Sequence, residues 1–140
     1  MKKLSNIDEG LWNGIVDRGS TGRKRKEDKI RYYPETYNEL KKIVDKEIEE
    51  QGGKDVDLRM IDVSNVKNMS DMFFSCSSLK SLDVSNWDVS KVKDMSNMFD
   101  GCKSLQSLDL SNWNVSNVED MSFMFFSFVS KYNGLLSDVI

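Results

Sequence analysis

Residues 81–106 read SLDVSNWDVSKVKDMSNMFDGCKSLQ, and altered copies of the same string stand on either side. Residues 57–80 read DLRMIDVSNVKNMSDMFFSCSSLK, and residues 107–131 read SLDLSNWNVSNVEDMSFMFFSFVSK. A shift of 26 residues superimposes Val66, Val92 and Val118, then Met69, Met95 and Met121, then Met72, Met98 and Met124, then Phe73, Phe99 and Phe125. It also pairs Cys76 with Cys102, Leu79 with Leu105, Leu82 with Leu108 and Trp87 with Trp113. Self-similarity at one fixed period of this size is the mark of a repeat architecture.

Within a copy the apolar period changes. Leu82 and Val84 alternate, as do Leu108 and Leu110, which predicts a short strand with one buried face. Val92, Met95, Met98, Phe99, Cys102 and Leu105 then fall at steps of three and four, which predicts one face of a short helix. Asn68, Asp94 and Asp120 are the preferred caps for these helices, with Ser64, Ser90 and Ser116 as competitors one turn earlier. A single strand-turn-helix unit cannot bury its apolar face, whereas stacked units share a continuous core. The expected fold is therefore a short α/β solenoid of leucine-rich-repeat-like units over residues 57–140, with a degenerate last unit.

The flanking segments differ from the repeats. In residues 30–56, Ile30, Tyr32 and Tyr33 suggest a short strand ending at Pro34. Thr36 and Glu39 then form a capping box. Leu40, Ile43, Val44 and Ile48 give an amphipathic stripe, and Gly52 and Gly53 stop the helix. This strand-helix segment is the expected N-terminal cap. Residues 1–29 stand apart: Leu4, Ile7, Leu11, Trp12 and Ile15 fall at helical spacing, and a basic loop with Arg18, Arg23, Lys24, Arg25 and Lys26 follows. A solvated linker is the preferred reading of that loop over a nucleic-acid contact.

Bulk properties narrow the function. Charged residues at 31% beside 39% hydrophobic ones, with three Trp and seven Phe, supply enough apolar matter for a core. A net charge of −3 argues against a nucleic-acid binder driven by bulk charge. No apolar run is long enough to span a bilayer, and no signal-peptide stretch follows Lys2 and Lys3, so a cytoplasmic location is expected, with the cell surface as the alternative if an export signal is missing. The chain has no histidine, and no phosphate loop, nucleophile elbow or zinc spacing appears, so no enzymatic activity is expected. No cofactor or metal is expected. The columns Asp57, Asp83, Asp109 and Asp62, Asp88, Asn114 suit turn hydrogen bonds better than a calcium ladder. The methionine stripe suits a core better than a metal or partner surface. Cys76 and Cys102 should stack as two buried thiols, although the repeat spacing also permits a disulfide.

The string LDVSNWDVSKVKDMSNMFDGCKSL resembles the BspA-type leucine-rich repeats of bacterial surface proteins, and the likeness covers residues 57 to about 126. Residues 30–56 look like the segment that precedes such repeats. The resemblance implies a leucine-rich-repeat-like solenoid with a role in adhesion or protein binding, and no catalytic residues.

The leading expectation is a non-enzymatic protein-protein interaction module, a small intracellular binder or inhibitor of another protein, such as a phage-borne one. The alternative is a fragment or relative of an exported surface adhesin. Candidate partner-binding residues are Arg59, Trp87, Asp88, Lys91, Trp113 and Asn114 around the strands and turns, with Trp12, Arg23 and Arg25 in the N-terminal segment. The two tryptophans are ambiguous, because Ile61 takes their place in the first repeat and so argues for partial burial. The tail FFSFVSKYNGLLSDVI is apolar. It reads either as a lid on the last repeat or as part of a homodimer contact through the C-terminal end, the second being preferred.

Overall fold

The computed structural model describes residues 29–126. Among them it holds one α-helix, α1 (Tyr37–Glu50), and three short strands, β1 (Asp55–Asp57), β2 (Ser81–Asp83) and β3 (Ser107–Leu108). The strands form one open parallel sheet in the order β1-β2-β3. Its register pairs Val56 with Leu82 and Leu82 with Leu108, so each step across the sheet is one repeat.

This overturns the expected solenoid of strand-turn-helix units. The residues read as repeat helices form strings of turns. Met98 N–H donates to the Met95 carbonyl, Asp100 N–H to Asn97 and Cys102 N–H to Phe99, each three residues back. Between these bonds the backbone turns left-handed at Asn97 (φ 56°) and Gly101 (φ 85°), as it does at Asp71 and Ser75 one repeat earlier and at Phe123 one repeat later. An α-helix cannot pass through such residues. The remaining amides bond outward instead. Met95, Asn97 and Phe99 donate to Asp120, Ser122 and Met124 of the next repeat at 2.8–2.9 Å, and Met69, Asp71 and Phe73 donate in the same way to Asp94, Ser96 and Met98. A chain of three-residue turns places apolar side chains at helix-like spacing, which is why the pattern misled.

The expected caps change role with the helices. Asp94 Oδ1 accepts from Ser96 N–H at 2.9 Å and from its hydroxyl at 2.7 Å, and Asp120 does the same for Ser122. Asn68 accepts from Ser70 N–H. These side chains hold turns, a use their short polar ends favour.

α1 follows its sequence signals closely. Thr36 caps it by accepting from Glu39 N–H at 3.2 Å, while Glu39 reaches back to the N–H of Glu35. At the other end Gly52 N–H donates to Glu49 and Gly53 N–H to Ile48, the paired bonds of a helix stop that needs left-handed residues; both glycines have positive φ. The expected strand before the helix is a single bridge, Tyr32 to Ile61.

The core runs through every repeat. Met69, Met72, Met95 and Met98 have no exposed surface, which places the methionine stripe inside. Identical side chains one repeat apart stack on one another. The rings of Phe73 and Phe99 lie 5.4 Å apart, those of Phe99 and Phe125 5.5 Å, and those of Trp87 and Trp113 6.3 Å at an interplanar angle of 1°. Such offset stacking adds to the area each ring buries. Leu40, Ile43 and Val44 of α1 are also fully buried.

Candidate functional site

Strand alternation sends Val56, Leu82 and Leu108 into the core and turns the flanking residues outward. The outward face of the sheet is a polar trough of 410 Å³ lined by Asp55, Asp57, Ser81, Asp83, Ser107 and Asp109, among others. One cation borders it. Arg59 pairs with Asp57 at 2.9 Å and with Asp83 at 3.2 Å, so a single guanidinium bridges two repeats. Burial pushes the Asp57 carboxyl up, but the side-chain and backbone N–H groups of Arg59 outweigh it and hold that carboxyl below the usual range. Ser81 donates to Asp55 at 2.7 Å and Ser85 to Asp83 at 2.7 Å. At the open end Asp109 accepts from the Ser111 hydroxyl and N–H, and these two bonds lower its carboxyl.

The residues singled out by sequence divide into three groups. Arg59 is not itself in the trough lining but pairs with two of its carboxylates, Asp57 and Asp83. Trp87 and Trp113 do not face a partner: they are 2% and 8% exposed, and their indole N–H groups donate to the carbonyls of Leu58 and Val84 at 3.0 and 3.1 Å. This corrects their place among the solvent-facing residues. The physical reason is that an indole can bury its rings if its N–H finds a backbone acceptor, and the preceding repeat supplies one. Asp88, Lys91 and Asn114 are exposed but lie on turns away from the trough lining. Asp88 accepts from Ser90, Asn114 accepts from Ser116 N–H, and Lys91 Nζ reaches Asn65 at 3.3 Å. The Ser90 hydroxyl and N–H draw the Asp88 carboxyl below its ordinary range. Trp12, Arg23 and Arg25 lie outside the described residues, as do most of the basic loop and the tail after Phe126.

Sequence reasoning missed Asp55 and Ser81 as trough residues and saw the Asp57, Asp83, Asp109 column only as turn-formers. The available signal was the outward phase of each Asp and Ser around a buried aliphatic residue in Asp55-Val56-Asp57, Ser81-Leu82-Asp83 and Ser107-Leu108-Asp109.

The cysteines are free. Cys102 is buried and its thiol donates to the Phe73 carbonyl at 3.2 Å; burial first, and then the neighbouring Cys76, push it up to about 12. Burial also raises Cys76. Cys76 is only half-buried, which corrects the expectation of two buried thiols: the repeat stacks it beside Cys102 but leaves part of it at the surface. No helix among the described residues is long and apolar enough to cross a membrane.

The described residues define a protein of stacked, register-locked repeats with a small parallel sheet and an open polar face. The model of a family described as "Mycoplasma protein of unknown function, DUF285" matches residues 39–138, and the chain belongs to that family. No curated protein and no solved structure matches it.

Proposed function

We propose that this chain is a non-enzymatic protein-interaction module and that the trough over β1, β2 and β3 is its contact surface for another protein. The observation that carries this reading is the trough's composition: four carboxylates, those of Asp55, Asp57, Asp83 and Asp109, line one open face, and the Arg59 guanidinium beside it pairs with two of them. Such a face suits cationic side chains of a partner, since complementary charge steers encounter and fixes register. The likeness of residues 82–105 to BspA-type repeats supports the same class of function. Catalysis has little to build on here. The trough's hydroxyls are those of serines, and with no histidine in the chain they lack the commonest base matched to neutral pH.

The test is affinity capture from a lysate with the wild-type chain beside the double variant Asp83→Lys, Asp109→Lys, both checked for unchanged thermal unfolding. The expected result is a protein retained by the wild type and lost by the variant, with binding that weakens as salt rises. A partner held equally by both would show that the contact lies off the trough.

A further inference from the structure

The two thiols sit where the backbones of the first and second repeats come into contact, away from the trough lining. Ser75 N–H donates to the Asp100 carbonyl at 2.7 Å, a bond that ties the two rows of turns together. One residue on, Gly101 has no side chain, and a Cβ built on it would lie 3.0 Å from the Ser75 Cα. The Cα atoms of Ser75 and Gly101 are therefore at most one carbon–carbon bond, ~1.5 Å, further apart than that. Cys76 and Cys102 are the next residues of the same two rows. Each closes a three-residue turn: Cys76 N–H donates to the Phe73 carbonyl and Cys102 N–H to the Phe99 carbonyl, both at 3.2 Å. Rows in this register keep successive pairs near the spacing of neighbouring strands, ~4.8 Å. A disulfide accepts Cα separations of about 4.4–6.8 Å.

Cys102 also reaches back toward the first repeat. Its thiol donates to the Phe73 carbonyl, the same oxygen that accepts from the Cys76 N–H. The Cys102 sulfur is thus held against the turn that carries Cys76, and giving up one weak S–H bond frees it. The two thiols differ in access: Cys102 has no exposed surface, whereas Cys76 is half-buried. Burial raises the Cys76 thiol, Lys41 of α1 works against that, and Asp45 works with it. A further shift of 26 residues falls on Phe128, so the chain holds this one pair and no third thiol competes for either member.

We propose that Cys76 and Cys102 form a redox pair that a low-molecular-weight disulfide closes into an intramolecular bond, clasping the first repeat to the second. The chemistry is thiol–disulfide exchange in two steps. The Cys76 thiolate attacks one sulfur of the small disulfide. A mixed disulfide forms at Cys76, and the other half leaves as a thiolate that takes up the proton Cys76 gave to solvent. The Cys102 thiolate then attacks the Cys76 sulfur, and the second half leaves and is protonated in the same way. The protein loses two hydrogens, and one small disulfide becomes two thiols. Burial fixes the order, since the solvent-borne reagent meets Cys76 and not Cys102. Burial also makes closure slow, on the scale of minutes to hours, so the clasp answers a sustained change in redox poise. Once closed, it cross-links two residues 26 apart and stabilises the fold by restricting the unfolded chain.

The test is incubation of the folded full chain with glutathione disulfide, followed by intact mass spectrometry. The expected product is two hydrogens lighter, carries no glutathione and shows no free thiol after denaturation. Its melting temperature should rise by about 5–15 °C, and dithiothreitol should reverse the rise. Cys102→Ser should stop at the mixed disulfide and gain one glutathione. Cys76→Ser should gain none while folded. Circular dichroism checks each variant, and Cys102→Ala stands in if the buried serine hydroxyl disturbs the fold. A wild-type chain that keeps both thiols after overnight incubation, or that ends as a stable glutathione adduct, overturns the proposal. So does a disulfide-linked pair of chains as the main product, or a folded Cys76→Ser that gains glutathione as readily as Cys102→Ser.

Discussion

Gln51 bonds to the backbone of Asp57 in both directions: its Nε2 donates to the Asp57 carbonyl at 2.9 Å, and its Oε1 accepts from the Asp57 N–H at 2.8 Å. A side-chain amide offers the same donor and acceptor as a peptide group, so Gln51 stands where a further strand would stand beside β1. It closes one edge of the sheet from the end of α1 and also donates to Glu47 Oε1 at 3.1 Å. Gln51→Leu should leave both Asp57 groups without their partner and cost about 1–3 kcal/mol, the usual penalty for orphaned polar groups. Urea unfolding measures it. An unchanged midpoint would mean that water replaces the amide without loss.

Glu47 is the one buried charged residue among the described residues, 4% exposed, and it ties α1 to the segment before it. It accepts from Tyr32 Oη at 2.9 Å, from Lys46 Nζ at 3.1 Å and from Gln51. Burial alone would raise its carboxyl, but those hydrogen bonds and the Lys46 charge outweigh it and bring the carboxyl below its ordinary value. A depressed folded-state value stabilises the fold at all pH above the unfolded-state value of about 4.3. That stabilisation is lost as pH falls through the folded-state value. Stability should thus be insensitive to this group from pH 7 to about 5 and fall below that. Glu47→Gln should cost about 1–3 kcal/mol at pH 7 and flatten part of the acid limb. Urea midpoints across pH 3–7 for both proteins supply the comparison, and parallel acid limbs would clear Glu47 of this role.

The left-handed positions make opposite predictions at two sites. At Gly101, φ is +85° and a Cβ would sit 3.0 Å from Ser75 Cα, so Gly101→Ala meets both backbone strain and a backbone clash. A loss of about 2 kcal/mol or more is expected. Phe123 holds φ +56° with a full side chain, where the equivalent residues are Asp71 and Asn97. Asp and Asn tolerate this conformation better than Phe, so Phe123→Asn should gain up to about 1 kcal/mol. Thermal melts of the two variants should shift in opposite directions; shifts of the same sign would break the account.

Met98 and Phe99 lie at the centre of the stack with no exposed surface. Met98→Asp and Phe99→Asp each place an unpaired charge there, at a cost of several kcal/mol against a whole-domain stability of roughly 5–15 kcal/mol. Both variants should be unfolded or insoluble at 25 °C by circular dichroism. A wild-type melt for either would mean that these side chains do not form the core.

The elements legible in advance were those specified by local chemistry. Thr36 with Glu39, the stripe through Leu40, Ile43 and Val44, and the Gly52-Gly53 stop define α1, because capping, amphipathicity and left-handed glycine act within a few residues. The repeat helices were misread because periodicity records where side chains point and not which carbonyl each amide chooses. Met95, Met98 and Phe99 have helical spacing in a chain that is not helical. The correcting signals were Asn97 and Gly101, residues that favour left-handed turns, set in the middle of the supposed helix. Of the residues around the candidate site, Arg59 was singled out in advance for contact with a partner. Its bridge from Asp57 to Asp83 was not, since that pairing joins residues of different repeats.

What the sequence determined by itself was the 26-residue register, and with it which residues stack: Phe73 on Phe99, Trp87 on Trp113, Leu82 on Leu108. Identical side chains at a constant spacing can share one core only in that alignment. What the tertiary structure alone decided was the backbone between them. Whether Met95 N–H bonds within its own repeat or to Asp120 in the next depends on a neighbour being present at bonding distance. Burial of the Trp87 indole likewise depends on the Leu58 carbonyl reaching it from the preceding repeat. Those choices are made by groups 25 and 29 residues apart, and no local preference encodes them.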